Sequence, residues 1–290
     1  MTPGAWGAFI ALGIIWGIPY FLIKIALEEV EPLFIAWARL ALAVVILLPI
    51  AWRRGALPQL RGHGGAVLAF ALLEFVVPFA AISIGEQWID SSVTGLLIAM
   101  VPLCVAAIAR FTGVHEPMTV ARLSGLLIGL GGVALLLGFG GVHGALGWAG
   151  AGLMLLAAIG YACGPLLMQR KLAGIDAYGP VTISQLIAAI ILLPGAIAGW
   201  PSHWPSTRTL VAIGALGIAC SAIAMLLMFY LVRTAGPQRA SIITYINPAI
   251  ATLLGVLVLH EPLGWNGYAA FALILLGSWL ATRASAVPAH

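Results

Sequence analysis

Two His-Glu-Pro triplets, at positions 115–117 and 260–262, are the first candidates for chemistry. An imidazole beside a carboxylate can ligate a metal or move a proton. Only nine acidic residues occur in 290, so the same triplet appearing twice calls for a physical reason. Neither copy extends to HExxH, and no GxSxG turn occurs. The six histidines, His63, His115, His143, His203, His260 and His290, are scattered among the breaks between apolar runs and the tail. A membrane-bound enzyme needs a nucleophile and base, or clustered ligands, on one face, and this distribution does not supply them. Cys104, Cys163 and Cys220 have no disulfide or zinc spacing and read as apolar packing. Glu74 and Arg39 are different, because each is an ionisable group inside an otherwise apolar run. Glu74 could carry a proton, or it could be a structural carboxyl, with Arg39 as its partner across two helices.

The elements that must position these groups follow from composition. Hydrophobic residues make up 62% of the chain and charged residues 8%, far outside the range of soluble domains. A hydrocarbon core of about 30 Å needs about 20 apolar residues per helix. Ten such runs are predicted: Trp6 to Leu27, Pro32 to Trp52, Gly65 to Ile84, Val93 to Phe111, Val120 to Phe139, Trp148 to Met168, Ala177 to Trp200, Leu210 to Val232, Ala240 to Leu259 and Trp265 to Ala281. They are continuous and do not alternate with period two, so they predict helices, not barrel strands. The first lacks a basic leader and is not read as a cleaved signal. Trp6, Trp52, Trp88, Trp148, Trp200, Trp204 and Trp265 fall at span ends as interface anchors, and Glu28, Glu29 and Glu31 form a solvated acidic turn.

Basic residues give the orientation. With a cytoplasmic N-terminus only Lys24, Arg39 and Arg208 lie toward the far side, leaving ten of the thirteen on the near side. Both termini are therefore predicted in the cytoplasm. The basic pI of about 9.2 reports topology, with no nucleic-acid partner implied. Glu261 follows Glu116 by 145 residues, half the length, and Pro19 with Pro165, Lys24 with Arg170, Pro49 with Pro194 and Pro102 with Pro248 recur at 145 or 146. The chain reads as two five-helix repeats, 1–143 and 144–290. Five is odd, so the second enters the membrane upside down. Glu116 and Glu261 then lie on opposite faces, about 30 Å of hydrocarbon apart. They are expected as helix starts with Pro117 and Pro262, the carboxylates meeting free N–H groups.

At this level the sequence resembles the EamA type of the drug/metabolite transporter superfamily. The likeness rests on "WGIPYFLIK" in the first span, "PLFIAWARLALA" in the second, the two HEP turns, and the "GLLIGLGGVALL" and "AAFALILLGSWL" that follow them. Within that family it looks most like the bacterial exporters of amino acids and related metabolites, with an exporter of aromatic amino acids the nearest of them. The resemblance implies an all-α integral membrane protein whose repeats enclose a central cavity, opened alternately to either side. Arg39 matches an arginine of the family's second helix, although the repeat-equivalent position here is Gln185.

Helical spacing then selects the lining. Trp16, Tyr20 and Lys24 share one face, Tyr161, Pro165 and Gln169 another, and Phe75, Phe79, Ser83 and Gln87 a third, with Tyr230, Tyr245 and Asn247 as further candidates. Pro19, Pro165 and Pro78 are predicted to kink their helices as gates. Aromatic faces with a few polar groups suit small amphiphilic solutes, while the competing reading of each single aromatic is helix packing. The expected function is a secondary transporter that exports small metabolites, amino acids with apolar or aromatic side chains foremost, by alternating access. The alternatives are a multidrug or other metabolite carrier of the same fold, or a membrane enzyme or channel, the last lacking charged rings or filter loops. No cofactor is implied. The expected surroundings are the lipid bilayer of a bacterial-type inner membrane and a small-molecule substrate, and a monomer suffices.

Overall fold

Backbone polar groups have no water to bond in hydrocarbon, so long apolar runs pair their amides within themselves. The computed structural model describes residues 2–111, 119–139, 142, 144–236 and 243–283, and no strand occurs among them. In chain order the helices are α1 (Pro3–Ala26), α2 (Pro32–Arg53), α3 (Gly64–Gly85), α4 (Ser91–Ile108), α5 (Val120–Phe139), α6 (Gly144–Lys171), α7 (Tyr178–Ala198), α8 (Thr207–Ala235), α9 (Ile243–Leu257) and α10 (Trp265–Arg283). Seven of them, α1 to α4 and α6 to α8, are long and apolar enough to cross a membrane. Shorter apolar stretches, Leu123–Gly138, Ile246–Leu257 and Trp265–Leu280, lie in α5, α9 and α10. All seven tryptophans named as anchors are exposed.

Prolines start helices and interrupt them. Pro3 and Pro32 occupy first turns, where no amide donor is needed, and Thr2 Oγ1 accepts from the Ala5 N–H at 3.3 Å. Pro19 divides α1 at Ile18, as its missing donor requires. Pro165 lies inside α6, which continues from Gly144 to Lys171, so of the two equivalent prolines only Pro19 divides its helix. Pro78 follows a π turn at Leu72–Val76. A proline ring crowds the carbonyl four residues back, that of Glu74, and the wider turn relieves the crowding. A second π turn, Ile218–Ile223, falls 146 residues later without a proline, and there the Ser221 hydroxyl donates to the Leu216 carbonyl at 2.9 Å.

The helices pack in a pattern that survives exchanging each helix with the one five places away. α1 packs on α8 and α9 as α6 packs on α3 and α4, and α2 packs on α8 as α7 packs on α3. The pairs α2–α7, α4–α9 and α5–α10 map onto themselves. Small residues permit the close approaches. A Cβ on Gly17 would sit 2.5 Å from Ile250 of α9, and one on Gly164 would overlap the Glu74 carboxyl of α3.

Candidate substrate site

Arg39 lies two turns into α2 and is only 6% exposed. Its guanidinium stacks over the Phe79 ring at 3.8 Å from the centroid, and Nε donates to Ser221 Oγ at 3.2 Å. Phe79 is held in place by an edge-on contact with Phe75, 5.7 Å between centroids, and Phe75 packs likewise on Phe70. Ser221 is presented by the π turn of α8, so that irregularity aims a hydroxyl at the arginine. Tyr161, Cys220, Tyr20 and Glu86 are all within electrostatic reach of the guanidinium. Among the described residues no carboxylate lies within salt-bridge distance of it. A desolvated stack of this kind contributes about 2 kcal/mol, which does not by itself offset taking a cation out of water. Among the described residues the group is a buried positive charge with no carboxylate at salt-bridge distance, stacked on one aromatic ring with two tyrosines in electrostatic reach.

Glu74 is not its partner. The side chain projects from the π turn of α3 against Gly164 of α6, with Oε2 buried and without a hydrogen bond. Of the two readings of Glu74, the pairing with Arg39 is not formed: Arg39 turns to Phe79 and Ser221. Gln185, the repeat counterpart of Arg39, is fully buried with both amide atoms unpaired.

The other expected residues divide. Tyr20, Phe79 and Tyr161 gather around Arg39, and Ser83, fully buried, continues the Phe79 face one turn on. Phe75 and Pro78 are buried in the helix packing. Trp16 packs instead with the group formed by Phe9, Leu12, Leu231 and Ile243. Pro165 and Gln169 are exposed and do not join the arginine. Tyr230 is 44% exposed, its hydroxyl near Gly4 in the first turn of α1. Asn247, with its amide N–H groups turned toward α1, donates to the carbonyls of Gly13 at 3.2 Å and Ile243 at 3.1 Å, a tie between helices. The Tyr245 side chain, Glu116 and Pro117 lie outside the described residues.

A second polar group gathers where α1 and α3 end and α4 begins. Lys24 Nζ donates to the carbonyls of Glu86 at 2.7 Å and Ile89 at 2.8 Å, so it caps α3 and does not line the arginine cluster. The two oxygens of Glu261 accept from the Ser91 and Ser92 N–H groups, each at 2.8 Å. Glu261 was expected at the start of its own helix, but α10 begins only at Trp265, beyond Pro262. Its carboxylate meets the positive end of α4 instead. Burial, then the nearby Glu261 charge, pushes the Asp90 carboxyl above its ordinary range, with Lys24 opposing. Glu86 was missed in the sequence because it follows the end of an apolar run, yet it is completely buried. Ser221 gives no sequence signal, being one small polar residue in an apolar helix.

The acidic turn after α1 is not simply solvated. Glu28 pairs with Arg208 at 2.9 Å, and Glu29 accepts from the Ser206 N–H and hydroxyl at the start of α8. These bonds, the hydroxyl's first, hold the Glu29 carboxyl below its usual range. A shallow depression there, lined by Glu29, Ser202, His203, Trp204 and Pro205, is separate from the arginine cluster.

Comparison with known proteins gives a consistent picture. The EamA-like transporter family matches twice, over residues 3–138 and 148–283. The uncharacterized inner membrane transporter YedA of Escherichia coli K12 is 31% identical over 279 residues, covering 95% of this chain and 90% of that one. The uncharacterized transporter YvbV of Bacillus subtilis is 25% identical over 269 residues, with 91% and 87% covered. A solved crystal structure shares the fold over 98% of both chains, with a TM-score of 0.68 and 21% identity.

Proposed function

Since the chain belongs to the EamA-like transporter family, we propose that it is a secondary transporter exporting small amino acids with apolar or aromatic side chains across a bacterial inner membrane. The observation that carries the substrate class is the buried Arg39 guanidinium stacked on Phe79 with Tyr20 and Tyr161 nearby. A substrate carboxylate would supply the missing counter-ion, and an apolar or aromatic side chain would replace water against the rings. The dual family match and the exchangeable packing support two inverted repeats, 1–143 and 144–290, with the site near their interface. The distribution of Lys and Arg supports cytoplasmic termini, so the Lys24 end faces outward. Alternating access then proceeds by rocking the repeats about the α2–α7 and α4–α9 contacts. The break of α1 at Ile18 is the natural hinge.

Flux into proteoliposomes of L-phenylalanine, L-leucine, nucleosides and cationic drugs, with and without a proton gradient, tests the reading. Saturable L-phenylalanine and L-leucine flux is expected. Saturable flux of the cationic drugs alone would replace it with a multidrug carrier, and no saturable flux of any solute would remove the carrier reading. Glu74→Gln examines the charge role of Glu74: unchanged gradient-driven flux would leave that carboxyl as packing.

A further inference from the structure

Glu86 is left over once the arginine cluster is accounted for. It lies one residue past α3, seven residues and about two turns beyond Phe79, on the same face. It is completely buried, and neither carboxyl oxygen has a hydrogen-bond partner. Lys24 directs two of its N–H groups to the main-chain carbonyls of Glu86 and Ile89 and none to the carboxyl, although its charge favours the carboxylate. Arg39 from α2, Glu261 from the α9–α10 turn and Tyr20 from α1 also face the carboxyl electrostatically. Thr94 of α4 is adjacent, without hydrogen-bond geometry, and Asp90 adjoins Lys24 and Glu261. An ionised carboxylate withdrawn from water without hydrogen bonds costs several kcal/mol, and burial, with the Glu261 charge, outweighs the Lys24 and Arg39 charges and favours the protonated form.

The repeat shows that packing does not demand an acid there. Lys24 recurs as Arg170 and Glu261 as Glu116, but Glu86 falls on Leu231 or Val232 at the same offsets. Both are apolar and lie in the last turns of α8, which runs on to Ala235. The contacts around Glu86 also tie the helices together at this end: Glu261 on the α4 N-terminus and Lys24 on the last carbonyls of α3. Separating them would admit water to the carboxyl and favour its anion.

We propose that Glu86 is a proton-binding site, loaded when the Lys24 end of the bundle closes and emptied when that end opens. The proton comes from the solution on that side and sits on one carboxyl oxygen. The proposal rests on the carrier reading for the opening and closing, but its test uses no substrate, so the two can fail separately.

The full chain in lipid vesicles serves for both measurements. In a Glu74→Gln background, infrared absorption of the protonated carboxyl near neutral pH should be lost on adding Glu86→Gln; an unchanged band would overturn the proposal. The second measurement follows labelling of Ser83→Cys, on a background without Cys104, Cys163 and Cys220, by an impermeant maleimide. Rates are corrected for thiolate fraction with an exposed Trp204→Cys control. Labelling should rise at least about five-fold between about pH 5 and about pH 9, and Glu86→Gln or Glu86→Leu should flatten that rise to within about two-fold. The same rise in both variants, or a rise set by sodium concentration and not by pH, would overturn it. Glu86→Leu carries the side chain of the other repeat, and it keeps the question decidable where Glu86→Gln does not fold.

Discussion

At the scale of single residues the molecule is defined by charges kept out of water for a reason. Arg39 is stabilised by one ring and one hydroxyl, a smaller return than a carboxylate would give. Lysine in its place keeps the charge but loses both the flat stack and the Nε–H directed at Ser221. Arg39→Lys should therefore raise the KM for L-phenylalanine by about ten-fold or more, while size-exclusion behaviour and thermal stability stay near wild type. An unchanged KM would mean that the guanidinium holds helices together and does not receive substrate. That Arg39 and Glu74 matter was legible in the sequence, because a charge inside an apolar run stands out without any structure. Their partners were not legible. Spacing fixes which residues share a helix face, but it does not say which neighbouring helix meets that face, so Arg39 was paired with Glu74 when its contacts are Phe79 and Ser221. Glu86 was lost for the opposite reason, since burial past a helix end comes from the packing of α1 and α4 around it.

At the scale of elements, symmetry in the sequence did not become symmetry in backbone shape. Pro19 and Pro165 are equivalent by spacing, but only α1 is divided. The regular α6 lies close to α3, where Gly160 and Gly164 meet the Leu73 carbonyl and the Glu74 side chain. Gly164→Val would place its methyl groups where that carboxyl lies, and an overpacked contact costs about 1–3 kcal/mol. Thermal unfolding in detergent should show this loss, and Glu74→Ala should restore part of it by clearing the space. An additive double variant would place the strain elsewhere. The tie from the α1–α2 turn to α8 depends on pH with a definite sign. Glu29 is held below its ordinary range by Ser206, so the folded state binds its proton less readily than the unfolded one. Its contribution is complete above the ordinary glutamate range and is lost as pH falls through the lowered folded value. The protection of the Ser206 amide, taken relative to its intrinsic exchange rate at each pH, should fall over that acidic window, and Glu29→Gln should remove the pH dependence.

At the scale of the whole molecule, two staples join the two stretches that match the family. In the first, Glu28 and Glu29 reach Arg208 and Ser206. In the second, Asp176, in the turn between α6 and α7, accepts from Arg54 at 3.1 Å, and its N–H donates to the Gln59 side-chain oxygen at 2.9 Å. In each case the turn between the first and second helices of one copy grips the connection between the second and third helices of the other. Two parallel copies would place both staples on one face; two inverted copies place them on opposite faces. Single cysteines distinguish these arrangements, introduced at Trp204 beside the first staple and at Gln59 beside the second, with Cys104, Cys163 and Cys220 replaced. In intact cells of a Gram-negative host whose outer membrane has been made permeable, an impermeant maleimide should label Trp204→Cys and leave Gln59→Cys untouched until the inner membrane is opened. Labelling of both from the same side would end the inverted reading, because no rocking of the repeats carries a staple through about 30 Å of hydrocarbon. The reverse pattern, with Gln59→Cys labelled first, would keep the inversion but turn the molecule over. The Lys24 end, with its buried Glu86, would then face the cytoplasm, and the proton that fills it would come from inside.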